Sequence, residues 1–505
     1  MSKYFSLRQL LDGFALPGSH CDVNDEINGL AWDSRKVESG DLFFACDGKN
    51  IHGKQFIQKA VDAGAAAIAL ETSDASEATS ISDKYKIPVV PVESLTKKLG
   101  LIAARFYDRP SSHLKLIGVT GTNGKTSCTH LLAQCLNAPE HLCGVVGTMG
   151  AGIWGQLEGI ANTTPGAVEL QQRLNQLANQ HAKYVAMEVS SHGLEQGRTI
   201  GCEFNIAVFT NLTQDHLDYH GDMQTYGDVK LKLFKNPGLD GVVINLDDEF
   251  SQTIIDTVSS DVVVTGITLN SANKNKQINN VDLICGEITE LNAQGMTINI
   301  KCRAGEGELK TNLLGDFNAS NLLTVFACVV QLGFSFDESL EKLARVKAPD
   351  GRLQRFGGND KPLVVVDYAH TPDALEKVLL TLKKHTEGNL LVLIGCGGDR
   401  DKSKRPLMGA VAEEHADVVW LTNDNPRSES PEAIVNDILH GIKNQEQIVV
   451  ELDREIAIKG LIKTATNNDV VLIAGKGHED YQIIGDQKLD FSDSKIVAEL
   501  IGEAA

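Results

Sequence analysis

The stretch Leu114 to Ser127 reads LKLIGVTGTNGKTS: an apolar run, a glycine turn, then a lysine and two hydroxyl residues. Gly121 and Gly124 let backbone N–H groups approach phosphate oxygens, with Thr122 and Asn123 forming the turn between them. Lys125 can neutralise β- and γ-phosphate charge, the Thr126 hydroxyl can reach Mg²⁺, and Ser127 opens the helical run CTHLLAQCL. The loop is a short G-x-x-G-K-T form. Val119 stands five residues before Gly124, where the common pattern has glycine. A glycine turn followed by a chance Lys-Thr is the bland alternative; strand, turn and helix falling in order favour a phosphate site.

Two further groups could do chemistry. MEVSSHGLEQGR puts Glu188 at the carboxyl end of a buried strand, within reach of a metal presented by the loop. TNLTQDHLDYHG offers Asp215, His216, Asp218 and His220. His216 and His220 have the i, i+4 spacing of a zinc pair, but no third ligand pattern accompanies them and a phosphate loop calls for a hard cation. Lys230, in YGDVKLKLF, reads from its neighbours as an exposed helix lysine, with Lys232 close by. Further on, three strand-like runs end in polar residues. LLVLIGCGGDRDKSKRP carries Arg400, VVWLTNDNPR carries Asp424, Asn425, Pro426 and Arg427, and VVLIAGKGHE carries Gly475 and Glu479. In a parallel α/β sheet these ends share one carboxyl edge, where ligands bind. Two guanidinium forks among acids and an amide suit a zwitterion with an extra carboxylate. GCGGDR is not a dinucleotide fingerprint, because Arg400 takes the place of the third glycine.

The elements that must hold these residues follow from hydropathy. Short apolar runs (DLFFAC, AAIALE, IPVVPV, LKLIGVT, YVAMEVSS, IAVFTNL, GVVINLDD, KPLVVVDYAH) alternate with helix-length amphipathic segments, which predicts α/β architecture with parallel sheets. A chain of 505 residues suggests about three domains. SLTKKLGLIAARFYDRPS reads as a helix leading into a second unit, and Pro349-Asp350-Gly351 as a breaker before a third, so domains are expected at 1–95, 96–348 and 349–505. NSANKNKQINN reads as a surface loop. The net charge of −20 opposes non-specific binding to nucleic acid or anionic membrane. The ten cysteines form no Cys-x-x-Cys pair and read as reduced thiols. The amphipathic opening MSKYFSLRQLLDGFALPGSH and the lack of a long apolar run lead us to expect a cytoplasmic chain without a leader.

The short loop, followed in order by the Glu188, TNLTQDHLDYHG, DYAHTP and DNPR stretches, resembles the Mur ligase family nearly end to end. These are the ATP-dependent amide-forming enzymes of peptidoglycan synthesis. The resemblance implies a small α/β uridine-nucleotide-binding N-terminal domain, a central P-loop ATPase-like domain and a C-terminal Rossmann-like domain. It implies that His216 contacts a second Mg²⁺, and that Lys230 is carbamylated by CO₂ into an oxygen-ligand anion, which requires a neutral amine. Asn162, Thr163, Thr164, Ser190, Gln196 and Arg198 match contacts to a UDP-muramoyl peptide; Asn-Thr-Thr-Pro alone would pass for a turn. Asn318 and Asn321, with Asp367 to Pro372, match segments on the adenosine side. Trp32, Ser34, Lys49, Asn50 and Ile51 match UDP contacts, whereas Gly40-Asp41 and Gly48 alone read as hairpin turns.

In the family, Asp-Asn-Pro-Arg marks ligases that add meso-diaminopimelate to UDP-N-acetylmuramoyl-L-alanyl-D-glutamate, and lysine-adding relatives lack that arginine. The expected enzyme uses ATP and Mg²⁺, forms an acyl phosphate, and works as a monomer on small molecules. The lysine-adding ligase, a folylpolyglutamate-type ligase and a non-catalytic P-loop regulator are the alternatives. The general base for the amine is not identified by the residues.

Overall fold

The computed structural model describes residues 5–17, 26–48, 52–273, 278 and 280–503. Lys49, Asn50 and Ile51, and part of NSANKNKQINN, lie outside the described residues. Contacts divide the chain into two compact units. One comprises Met1–Thr129, Leu136–Val243 and Asp248–Val264; the other His130–Cys135, Ile244–Asp247 and Thr265–Ala505. No described helix is long and apolar enough to cross a membrane.

The first unit contains a four-stranded parallel sheet, Gly29–Ala31, Asp41–Ala45, Ala67–Glu71 and Val89–Val92, paired in chain order. Its strands are apolar on both faces. Leu42 and Phe44 enter one buried cluster, while Phe43 and Ala45 enter another on the opposite face. The parallel pairing of Gly29 with Asp41 corrects the hairpin reading of Gly40-Asp41. Gly40 instead ends a crossover at φ 93°, and a Cβ there would strike the Asn28 side chain.

The phosphate loop sits on further parallel strands of the same unit. Lys115–Thr120 is flanked by Ala182–Glu188 on one side and Ile206–Phe209 on the other. Register places Glu188 opposite Val119, and Phe209 opposite Thr120. Three carboxyl ends, and the segments that leave them, therefore meet at one edge.

The second unit has a six-stranded sheet. Its order is Gln354–Gly357, Leu363–Asp367, Val470–Ala474, Leu390–Ile394, Val418–Leu421, Val449–Val450. Period-2 alternation again fills both faces: Val470, Leu472 and Ala474 pack into one cluster, Val471 and Ile473 into the other. The unit also holds an antiparallel meander, Val281–Asn292, Gly295–Cys302 and Gly305–Thr311, which the expectation of parallel sheets did not include. Its signal was alternation, as in Met296-Thr-Ile-Asn-Ile-Lys301, where the apolar residues Met296, Ile298 and Ile300 are buried.

A fully buried ion pair ties the carboxyl edge of the six-stranded sheet together. Arg454 donates to both carboxylate oxygens of Asp493 at 2.8 and 2.7 Å, and to the carbonyls of Asn423 and Ala474. Those carbonyls lie beyond one strand and at the end of another, so the guanidinium sets their spacing. Removing one partner of such a pair strands a buried charge and costs about 3–5 kcal/mol. Asp493→Ala should therefore strip amide protection from Val470–Ala474 in hydrogen exchange; wild-type protection would contradict the role given to the pair.

Candidate active site

The phosphate loop is shaped by the segment that follows Phe209. Thr122 N–H donates to the Asn211 carbonyl at 2.8 Å and Asn123 N–H to Asn211 Oδ1 at 2.9 Å. The Asn123 carbonyl accepts from Thr210 Oγ1 and Asn211 Nδ2. Gly121, at φ 150°, packs so closely on Thr210 that a Cβ would overlap its hydroxyl. With the N–H groups of residues 122 and 123 engaged, the donors left for phosphate are those of the helix start, whose first turn has no intrahelical acceptors. That helix is Lys125–Leu136. Lys125 Nζ donates to the carbonyls of Gly121 and Thr122 at 2.9 and 2.8 Å.

Glu188 is 1% exposed and lies against this helix start. Its Oε2 accepts from Thr126 Oγ1 at 3.0 Å, and its Oε1 from Thr148 N–H at 2.8 Å. Burial pushes its carboxyl pKa up, partly offset by Lys125 and the threonine donors. The Thr126 hydroxyl and Glu188 carboxylate thus offer adjacent oxygen donors, the chemistry a hard divalent cation takes.

Lys230 overturns the exposed-lysine reading. It lies on helix Met223–Phe234, is 1% exposed, and donates to the Gly121 carbonyl at 3.0 Å. Its Nζ stands 4.3 Å from the centroid of the Tyr226 ring. Burial, then the charge of Lys125, lowers its pKa well below the ordinary lysine value, so its ammonium gives up a proton more readily. Tyr226 also touches Thr122 Oγ1 through its hydroxyl at 3.3 Å, and the His216 ring at 6.3 Å between centroids. His216 has left-handed backbone (φ 53°) and sits beside Asp215. His220 is buried, its Nε2 3.0 Å from Ser191 Oγ. Among the described residues no three His, Cys, Asp or Glu side chains group as a metal cage.

Five of the six residues matched to the muramoyl peptide are linked by hydrogen bonds that reach Glu188, Thr163 through Thr148. Thr164 Oγ1 donates to the Glu188 carbonyl and accepts from Ser190 N–H and Ser190 Oγ. Arg198 donates to the Thr164 carbonyl and twice to Gln196 Oε1, while Gln196 Nε2 donates to Tyr219. Thr163 meets Thr148 at 3.0 Å between hydroxyls. Asn162 is exposed beside them. Trp32, Gln196 and Arg198 share a cleft of ≈ 330 Å³. Ser34 lies two residues along from Trp32, half-buried.

In the second unit, the strand ends converge as expected. Asn425 Nδ2 donates to Glu479 Oε2 at 2.9 Å, and Gly398 N–H to the Asn425 carbonyl. A Cβ on Gly475 (φ 116°) would press on Asp424 Oδ2. The carbonyl of Pro426 packs against Gly398, where a Cβ would overlap it. Arg427, at φ 51°, donates from Nη1 to the Gly398 carbonyl at 2.8 Å, leaving Nε and Nη2 without a protein acceptor among the described residues. Arg400 is exposed nearby, with its Cγ in contact range of the same glycine loop. Burial raises the Asp424 pKa, opposed by Arg454 and Lys476. Asn318 and Asn321 are buried on helix Asp316–Gln331, with Asn321 Nδ2 bonded to Asn318 Oδ1.

Sequence reasoning missed Thr148, Thr210, Asn211, Tyr226 and Lys476. Thr210 and Asn211 stood in the quoted TNLT stretch, but only strand adjacency reveals that they hold the loop.

A glycine loop opening a helix on one α/β sheet, and a cluster of mixed charge at the carboxyl edge of another, are the parts a nucleotide-driven ligase needs. Three family models match the chain: Mur ligase family, catalytic domain (residues 26–107), Mur ligase middle domain (119–329) and Mur ligase, glutamate ligase domain (351–477). A UDP-N-acetylmuramoyl-L-alanyl-D-glutamate–2,6-diaminopimelate ligase of Ectopseudomonas mendocina is 50% identical over 92% of this chain and 93% of its own. A solved structure of an enzyme of the same name has a TM-score of 0.74 at 34% identity, covering 99% of both chains. A MurF ligase from Thermotoga maritima, solved in complex with ADP, shares the fold at TM-score 0.59 and 18% identity, over 88% of this chain and 93% of its own. The chain belongs to the Mur ligase family, with that family's three-domain fold.

Removing the Asn211 side chain costs the loop two hydrogen bonds, about 1–3 kcal/mol. Asn211→Ala should raise the ATP KM roughly tenfold in initial-rate assays, with the amino-acid KM unmoved. Equal shifts in both would contradict a role confined to the loop.

Proposed function

We propose that the chain is an ATP-dependent ligase joining 2,6-diaminopimelate to UDP-N-acetylmuramoyl-L-alanyl-D-glutamate in peptidoglycan synthesis. The observation that carries the reading is 50% identity, over 92% of the chain, to a ligase of that name. Arg427, with two guanidinium nitrogens left for a ligand, supports it from the pocket side. In this reading the enzyme acts as a cytoplasmic monomer on small molecules, divided at 1–95, 96–348 and 349–505.

ATP with Mg²⁺ supplies the γ-phosphoryl group that activates the D-glutamyl side-chain carboxylate as an acyl phosphate. Lys125 and the helix start bind the phosphates, within the loop formed by Gly121, Thr122, Asn123, Gly124, Thr126 and Ser127. Thr126 and Glu188 would hold a hard cation through oxygen, with His216 and Lys230 serving a second one. The Lys230 amine, its pKa lowered by burial, suits addition to CO₂ once the ammonium has lost a proton: an N–C bond forms as one C–O π bond of CO₂ opens, the nitrogen releases a second proton, and an anionic oxygen donor takes the place of the amine. Thr164, Ser190, Gln196 and Arg198 orient the muramoyl peptide. Asp424, Asn425, Glu479, Arg400 and Arg427 hold the amino acid, whose free amine attacks the acyl carbon and expels phosphate.

Arg427 favours diaminopimelate over lysine, because only diaminopimelate brings a second carboxylate for the guanidinium fork. ADP release measured with diaminopimelate and lysine side by side should proceed with the former alone. Activity with lysine alone would overturn the substrate, and ATP binding without amide formation, with every substrate supplied, would favour a regulator. Arg427→Ala should raise the diaminopimelate KM, not the ATP KM, by the loss of a charge-assisted pair worth about 1.5–3 kcal/mol; a change below a few-fold would contradict the pocket.

A further inference from the structure

Lys476 is fully buried between two glycines at positive φ, Gly475 (116°) and Gly477 (53°). Neither neighbour can gain a side chain freely. A Cβ on Gly475 would press on Asp424, and one on Gly477 would overlap Tyr368. This turn directs the lysine inward. Its Nζ lies 3.2 Å from Glu479 Oε2, 3.4 Å from Asn425 Oδ1 and 3.8 Å from Asp424 Oδ1, with the Tyr481 ring centroid at 5.5 Å. Every polar group this ammonium meets belongs to a residue assigned above to the amino-acid pocket.

The contacts are directional as well as electrostatic. Asn425 Oδ1 takes Lys476 and the Ile483 N–H, which fixes the amide so that Nδ2 faces Glu479. Glu479 Oε2 takes both Lys476 and Asn425, leaving Oε1 without a protein partner among the described residues. Two carboxylates at one nearly dry site repel each other unless a cation stands between them.

We propose that Lys476 is a positioning residue of the amino-acid pocket: its buried ammonium locks Asn425 and Glu479 into one arrangement and balances Asp424 and Glu479, so that Glu479 Oε1 is presented to the ammonium end of the incoming amino acid. Lys476 touches the pocket residues, not the reacting atoms. The inference rests on the amino-acid pocket described under the proposed function.

The test uses the full-length enzyme with ATP, the UDP-muramoyl dipeptide and diaminopimelate. Lys476→Met keeps the unbranched stem and removes the charge. The diaminopimelate KM should rise at least about tenfold while the ATP KM stays within about twofold; no change, or parallel changes in both constants, would overturn the proposal. Glu479→Gln separates this from the pocket reading. If Glu479→Gln leaves the diaminopimelate KM unchanged, the pocket and the proposal fall together. If it raises that KM while Lys476→Met does not, only the proposal falls. Should Lys476→Met not fold, the Lys476→Met, Glu479→Gln double variant, which strands fewer buried charges, is compared with Glu479→Gln. A lysine acting through Glu479 adds less than about threefold to the KM in that background, and a full independent effect would overturn the role.

Discussion

Two lysines, Lys125 and Lys230, point at one carbonyl. Both donate to the oxygen of Gly121, and the second does so from a position almost wholly out of water. Two ammonium charges at such spacing, one of them desolvated, are not a stable arrangement; the buried one gives up its proton more readily. Much of the first unit is arranged around that constraint. Tyr226 offers a ring face to Lys230 and a hydroxyl to Thr122, so the helix carrying the amine is keyed to the loop. Glu188 brings a buried acid to the other side of the helix start, tied to Thr126 and Thr148. A buried lysine, a hydroxyl and a buried acid thus stand around the glycine loop.

The second unit solves a related problem with opposite signs. There the excess is acidic, Asp424 with Glu479, and a buried lysine lies between them. In both places a turn with positive-φ glycine at a strand's carboxyl end lets a lysine approach groups that a bulkier backbone would keep away. The rigid frame comes from elsewhere: Arg454 with Asp493 spaces two strand ends, and Arg405 with Glu429 and Asp437 braces the residues just past Arg427. Arg427 has left-handed backbone, its N–H donating to the Ile483 carbonyl and its carbonyl accepting from the Gly485 N–H, with one guanidinium nitrogen on the Gly398 carbonyl.

What could be read in the sequence was what lies close along the chain. The phosphate loop, the acid ending a strand, and the polar residues beyond three apolar runs each announce themselves within a dozen residues, and parallel pairing brings their ends to shared edges. What could not be read was contact across strands. Asn211 supports the loop because Ile206–Phe209 pairs beside Lys115–Thr120, a fact absent from its neighbours in sequence. Lys230 looked like a surface lysine because helix periodicity does not say which face meets the loop. Lys476 is not legible as a pocket residue because only the fold turns it inward onto Asn425 and Glu479, and the antiparallel meander is masked by the stronger parallel pattern around it.

The central proposal is that burial beneath the loop, by lowering the Lys230 pKa, prepares its amine to take up CO₂. NMR of the full-length enzyme in isotope-labelled bicarbonate tests it directly. The account predicts one carbamate resonance that disappears in Lys230→Met and persists in Lys232→Met. No carbamate resonance in the wild-type enzyme, or one that survives in Lys230→Met, would contradict it.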